Sequence, residues 1–169
     1  PNPGFPIYES AINYSGAKAV PIPLLEKKDF SFDADEVLSL ITPATHLMII
    51  NTPANPTGGA VPRAEMDKLA EGLAAHPHVA ILSDEIYGQM TYDGQEHVSL
   101  LSYEHLRDRL ILLDGWSKTY AMTGWRLGYA LWPESLVDAA TRLAINCHSC
   151  VNAGTQFAGI AALEGPQDS

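Results

Sequence analysis

Short aliphatic runs alternating with amphipathic stretches predict an α/β protein, a three-layer αβα arrangement around a mostly parallel sheet. Two further observations agree. Three of the runs are continuous and apolar, the form that strands take when helices cover both faces of a sheet. Polar residues gather just past the ends of those runs, where open α/β sheets bind their ligands. The 169 residues and 46% hydrophobic content suit one compact unit.

Taken in order, strands are expected near Ala19 to Leu25, His46 to Asn51, Val79 to Ser83, Arg109 to Asp114 and Gly128 to Trp132. A helix is expected after Asp33, where Asp33 and Glu36 form an acidic variant of a capping box and Val37, Leu38 and Ile41 share a face. Pro62 suits a first helical position, with Met66, Leu69, Ala70 and Leu73 as the buried stripe behind it. From Glu134, the spacing of Leu136, Ala140, Leu143 and Cys147 predicts another helix with Cys147 in its buried face. A last helix from about Ala153 stops at Gly165-Pro166. No repeat, low-complexity tract or linker divides the chain. It opens at Pro1 without a Met and stops just after that helix-stop signal, so it is expected to be a piece of something longer.

Composition excludes several function classes. Ten basic and twenty acidic residues give a net charge of −10, so a nucleic-acid backbone would bind against the average field. No apolar run approaches the roughly 18 residues of a membrane span. The expectation is a soluble, cytoplasmic protein without nucleic-acid or membrane partners. Two cysteines, Cys147 and Cys150, are too few for a disulfide scaffold.

The chemistry-bearing residues follow three of the strands. Asn55-Pro56-Thr57-Gly58 comes after the first run, Asp84-Glu85-Ile86-Tyr87 after the second, and Gly115-Trp116-Ser117-Lys118 after the third; Arg126 lies eight positions past Lys118. An amine that forms an imine, a carboxylate for a ring nitrogen, donors for a phenolic oxygen and a cation for a phosphate are together what pyridoxal phosphate requires. Each alone is an ordinary residue: a surface lysine, a turn-forming Asn-Pro, an acidic cap. The ordered set is what carries weight.

The stretch Ser117-Lys118-Thr119-Tyr120-Ala121-Met122-Thr123-Gly124-Trp125-Arg126-Leu127-Gly128, preceded by Asn55-Pro56-Thr57-Gly58 and Ser83-Asp84-Glu85-Ile86-Tyr87, resembles the class I/II aminotransferases of pyridoxal-phosphate fold type I. The resemblance runs over essentially the whole chain and implies part of that family's large domain. It implies that Lys118 is the imine-forming lysine and proton-shuttling base. Asp84 is then the carboxylate on the pyridine nitrogen, keeping it protonated by opposite charge. Asn55 and Tyr87 are implied donors to the ring oxygen, Ser117 and Arg126 part of the phosphate set, and Phe5 the aromatic on the cofactor face. Tyr8 is implied to support Asp84 from behind, and Asn55-Pro56 to be a cis peptide. Catalysis is thereby assigned to Lys118, Asp84 and Tyr87, with amino acid and 2-oxo acid substrates and a homodimer in the complete protein. A lyase of the same fold and a ligand-sensing regulator domain remain alternatives at this point.

Two departures qualify the resemblance. Many relatives carry a serine where this sequence has Gly115, which removes one phosphate hydroxyl. The family's phosphate-cradling turn and its carboxylate-clamping arginine fall outside residues 1–169, so this chain by itself is expected to be inactive. Cys147-His148-Ser149-Cys150 has redox or zinc spacing but lacks further ligands nearby. His76-Pro77-His78 is expected to be a solvated loop, and Trp116 and Trp125 packing residues beside the site.

Overall fold

A computed structural model describes residues 1–168. Helix α1 (Pro6–Tyr14) starts at a proline, whose missing N–H costs nothing in a first helical turn. Helix α2 (Ala34–Ser39) is capped by Asp33, whose carboxylate accepts from the Glu36 N–H at 3.2 Å. Strand β1 (Leu47–Asn51), helix α3 (Arg63–Leu73), strand β2 (Ala80–Asp84) and strand β3 (Leu110–Gly115) follow. The short helix α4 (Trp116–Thr119), strand β4 (Gly128–Leu131), helix α5 (Glu134–His148) and helix α6 (Ala153–Glu164) complete the order.

The sheet is α/β in character and its strands lie in chain order, β1-β2-β3-β4. β1, β2 and β3 are parallel, with Asn51 beside Asp84 and Asp84 beside Leu113; β4 runs antiparallel to β3, with Asp114 beside Tyr129 and Gly115 beside Gly128. The carboxyl ends of the three parallel strands therefore sit level, which is what brings their trailing loops together.

One core fills the face against α2 and α3. Met48, Ile50 and Ile81 from the sheet meet Val37, Met66, Leu69, Ala70 and Leu73, all buried. At roughly 25 cal/mol per Å2, each of these side chains larger than alanine contributes about 1.5 to 3 kcal/mol. α2 and α3 approach so closely that a Cβ on Gly72 would run into a Leu38 methyl. The Glu65 carboxylate in α3 also accepts the first N–H of α2, from Ala34, at 2.7 Å. The Arg109 guanidinium ties the end of α3 to the start of β3, donating to the carbonyls of Leu73, His76 and Val79 at 2.8 to 2.9 Å. That geometry suits a cation at a helix C-terminus.

Four expectations need correction. Ala19 to Leu25 is not a strand; only isolated bridges, Asn2 with Pro23 and Leu25 with Ser31, hold it. Pro21 and Pro23 lack the N–H groups a ladder needs. β1 and β2 alternate in burial instead of being buried throughout, with Leu47 exposed, because the packed face is the one against α2 and α3. α5 forms where expected but buries no residue, and both Leu143 and Cys147 are exposed. Pro62 is the N-cap of α3 and not its first residue, since its ψ of 149° is extended. Helix α1 is an element that the sequence reading did not place.

Among the described residues no helix is long and apolar enough to cross a membrane, and no cluster of His, Cys, Asp and Glu is arranged to hold a metal.

Candidate active site

The level ends of β1, β2 and β3 deliver three polar segments to one edge. Past β1, the chain turns through cis peptides at Thr52-Pro53 and Asn55-Pro56, the second as the resemblance implies. Gly58 closes this turn at φ +73°, a conformation that favours glycine, with its N–H on the Ala54 carbonyl at 2.7 Å. Asn51, 4% exposed, joins this turn to β2: its Nδ2 donates to the Asp84 carbonyl at 3.1 Å and its Oδ1 accepts the Asn55 N–H at 3.0 Å. Buried amides are retained when both halves find partners. Asn51 thus fixes Asn55 relative to Asp84, a role the sequence reading missed.

Asp84 ends β2. Its Oδ2 accepts the Tyr8 hydroxyl at 2.5 Å across 76 residues, and its Oδ1 takes a 3.3 Å contact from the Ile86 N–H. Burial and the Asp84 charge push the Tyr8 phenol far above its ordinary range, so Tyr8 remains a donor at every working pH. Phe5 packs edge-on to Tyr8 with ring centroids 5.9 Å apart and is itself exposed. A single carboxylate with one strong donor retains lone pairs for another.

After β3, α4 carries Ser117 and Lys118. Gly115 lies against β4: a Cβ there would sit 2.8 Å from the Gly128 Cα and 2.9 Å from the Leu127 carbonyl. The close approach of the two strands leaves no room for a side chain at this position. The Lys118 Nζ stands over the Tyr87 ring, 5.6 Å from its centroid, at cation–π range. No ion pair among the described residues includes Lys118 or Arg126. The Thr123 hydroxyl donates to the Ser117 carbonyl at 2.7 Å, and Arg126 Nη1 donates to the Thr123 carbonyl at 3.0 Å. Ala121 and Arg126 both adopt left-handed φ, 53° and 59°. Such a backbone costs non-glycine residues about 1 to 2 kcal/mol each, and strain of this kind concentrates at functional segments.

Joined by Asn51 and Thr123, which were not predicted, the predicted residues fall into three linked groups: Phe5-Tyr8-Asp84-Asn51-Asn55, Tyr87 with Lys118, and Ser117-Thr123-Arg126. Arg126 meets Ser117 only through Thr123, and its side chain is exposed. Trp116 packs as expected, edge-on to Tyr129 at 5.5 Å and bonded to the Gly159 carbonyl in α6. Trp125 does not; it is 53% exposed. The donor set suits a planar, anionic, hydroxylated pyridine: an amine for a carbonyl carbon, a carboxylate for a ring N–H, a phenol and an amide for a ring oxygen, and a guanidinium for a phosphate.

Fold and edge define a class, an open α/β protein whose ligand chemistry is collected past the carboxyl ends of parallel strands. The sequence pattern of the family described as aminotransferase class I and II matches residues 1–169. The chain belongs to that family of pyridoxal-phosphate enzymes. It is 37% identical over 163 residues to an aromatic-amino-acid aminotransferase of Thermococcus litoralis, covering 96% of this chain and 42% of that protein. An arginine–pyruvate transaminase of Pseudomonas aeruginosa is 39% identical over 168 residues, covering 97% and 41%. The crystal structure of the aspartate aminotransferase from Rhizobium meliloti superimposes with a TM-score of 0.94 at 36% identity, over 99% of this chain and 42% of that one. The chain thus spans about two fifths of the length of these relatives.

Proposed function

We propose that residues 1–169 are part of the cofactor-binding large domain of a pyridoxal-phosphate-dependent aminotransferase, which moves an amino group between an amino acid and a 2-oxo acid. The observation that carries this reading is the placement of the Lys118 amine over Tyr87 on the same sheet edge as the Tyr8-buttressed Asp84. Bound pyridoxal phosphate supplies an electron sink that lowers the cost of taking a proton from the amino acid's α-carbon.

The chain's own residues do the rest. Lys118 Nζ would hold the cofactor covalently and is the amine placed to carry the α-proton. Asp84 would offer its carboxylate to the ring nitrogen, with Tyr8 fixing that carboxylate from behind. Asn55 and Tyr87 would donate to the ring oxygen, Ser117 and Arg126 would hold phosphate, and Phe5 would cover a ring face. The relatives named above are transaminases, which favours transfer over carbon–sulfur lysis. The exposed apolar residues of α5 and α6 suit burial against further chain or a second subunit, in line with a homodimer. An acidic surface with two unpaired thiols suits the cytoplasm.

The test is Lys118→Ala in the full-length protein. The visible absorbance of the loaded protein and the borohydride-reducible lysine adduct should both disappear, and a persistent adduct refutes the assignment. With wild type, single-turnover formation of the aminated cofactor marks transfer; pyruvate and ammonia mark lysis.

A further inference from the structure

Glu85 sits between the two residues assigned to the cofactor ring, Asp84 and Tyr87, yet points the other way. It is 6% exposed. Its Oε1 accepts the Ser83 hydroxyl at 2.8 Å and the Leu100 N–H at 3.1 Å, and its Oε2 meets His97 Nε2 at 2.7 Å. The His97 ring is itself largely enclosed, with 12% of its side chain exposed. Burial pushes the Glu85 carboxyl up, but hydrogen bonds from His97, Ser99 and Ser83 and the His97 charge outweigh it and hold the group below its ordinary value. A buried carboxylate is retained at a cost in desolvation unless it is paired and bonded throughout, as this one is.

The pair reaches the backbone that carries Tyr87. The Gly88 N–H bonds the Glu85 carbonyl at 2.7 Å, closing a tight turn over residues 85 to 88. The His97 ring lies flush on the end of that turn; a Cβ on Gly88 would be 2.9 Å from its Cδ2. One imidazole therefore braces both ends of the turn, the Glu85 side chain and the Gly88 backbone. The Leu100 amide fixes the far end of the 86–99 loop to the same carboxylate. Tyr87, in the middle of the turn, has its ring under Lys118 Nζ.

We propose that Glu85 and His97 are positioning residues for the reaction: a buried carboxylate–imidazole strut that sets the Tyr87 phenol against Lys118 and the cofactor's ring oxygen. The inference rests on the function proposed above, with Tyr87 as a donor to that oxygen. Such a donor favours the ionised oxygen, so its loss or displacement raises the pH at which the visible band of the loaded protein titrates. A pair that served stability alone would leave that midpoint in place.

The experiment compares full-length wild type, Tyr87→Phe, His97→Ala, His97→Gln and Glu85→Gln. The primary readout is the pH midpoint of the visible band; the second is amide exchange at Gly88 and Leu100 without cofactor. The expected result is an upward midpoint in Tyr87→Phe, a shift of the same sign in His97→Ala, and substantial return in His97→Gln, whose amide can still donate to Glu85. Exchange at Gly88 and Leu100 in His97→Ala should quicken on the order of tenfold, the scale of one lost hydrogen bond to a charge. If His97→Ala does not accumulate folded, Glu85→Gln, which keeps shape and removes charge, is read for the same shift. A wild-type midpoint in the folded strut variants beside a shifted Tyr87→Phe overturns the strut and leaves the aminotransferase reading intact. An unshifted Tyr87→Phe overturns the role of Tyr87 and the strut with it, and a reducible adduct in Lys118→Ala overturns the reading beneath both.

Discussion

Tyr8→Phe removes one hydroxyl and little else. The ring remains, and with it the edge contact to Phe5 at 5.9 Å, so packing changes by less than a methylene. What is lost is the 2.5 Å bond to Asp84 Oδ2, after which the carboxylate is steered only by the 3.3 Å contact from the Ile86 N–H to Oδ1. Hydrogen bonds to charged groups contribute about 1.5 to 3 kcal/mol net, which is roughly 10- to 150-fold in an equilibrium or rate constant. Orientation of the carboxylate matters only while it engages the ring nitrogen, so the loss should fall on turnover. We expect kcat/KM of the full-length protein to drop about 10- to 100-fold, with a thermal midpoint lowered by about a few degrees. Steady-state kinetics and a melting curve measure both, and a double-mutant cycle assigns the effect: on an Asp84→Ala background, Tyr8→Phe should cost almost nothing further. A kcat/KM within about twofold of wild type, or the full loss on the Asp84→Ala background, refutes the coupling.

Asp84→Ala itself should retain weak cofactor binding but lose about three decades of turnover, the rate equivalent of an ion pair of about 4 kcal/mol at an effective dielectric near 20; near-normal rates would show that another group holds the nitrogen. Arg109→Ala should destabilise the protein by about 3 kcal/mol, because three carbonyls lose a charged donor at once; a loss under about 1 kcal/mol in urea unfolding contradicts the accounting. Acid stability should depend on Glu85. Its pKa is lowered on folding, so its contribution is present above the unfolded value of 4.5 and disappears as pH falls through the lower folded value. The pH–stability curve of Glu85→Gln should be flatter over that acid window, and an unchanged acid limb would contradict it.

The sequence was most legible where backbone and side-chain patterns agreed. Apolar runs located β1 to β4 to within a residue or two, and Asp33 marked the start of α2 through its cap. Ala19 to Leu25 misled because its side chains suit a strand while its prolines forbid the ladder. α1 escaped notice because Phe5-Pro6 drew attention as a site, although Tyr8 and Ile12, its half-buried positions, are four apart. In α5 periodicity located a helix correctly and its burial wrongly, since an apolar stripe records what a helix wants to cover, not what lies beside it. At the site, Asp84, Tyr87 and Lys118 were recognisable by type and spacing. Asn51, Glu85 and His97 were not, because a buried polar residue looks like any surface polar residue until its partners, 2 to 33 residues away, are known.

The order of the sheet has a consequence for how the protein is made. Among the described strands, each one after β1 pairs with one already synthesised, so as the chain leaves the ribosome this part of the sheet can lengthen by one edge at a time. Tyr8 breaks that schedule. It must wait through 76 residues of translation for Asp84, and a ribosome that pauses in the interval holds α1 with its anchoring carboxylate still unmade. Helix α1 is thus tied to the sheet at Asp84 only after β2 is finished, and slow codons ahead of Asp84 would lengthen the period in which Tyr8 lacks its acceptor.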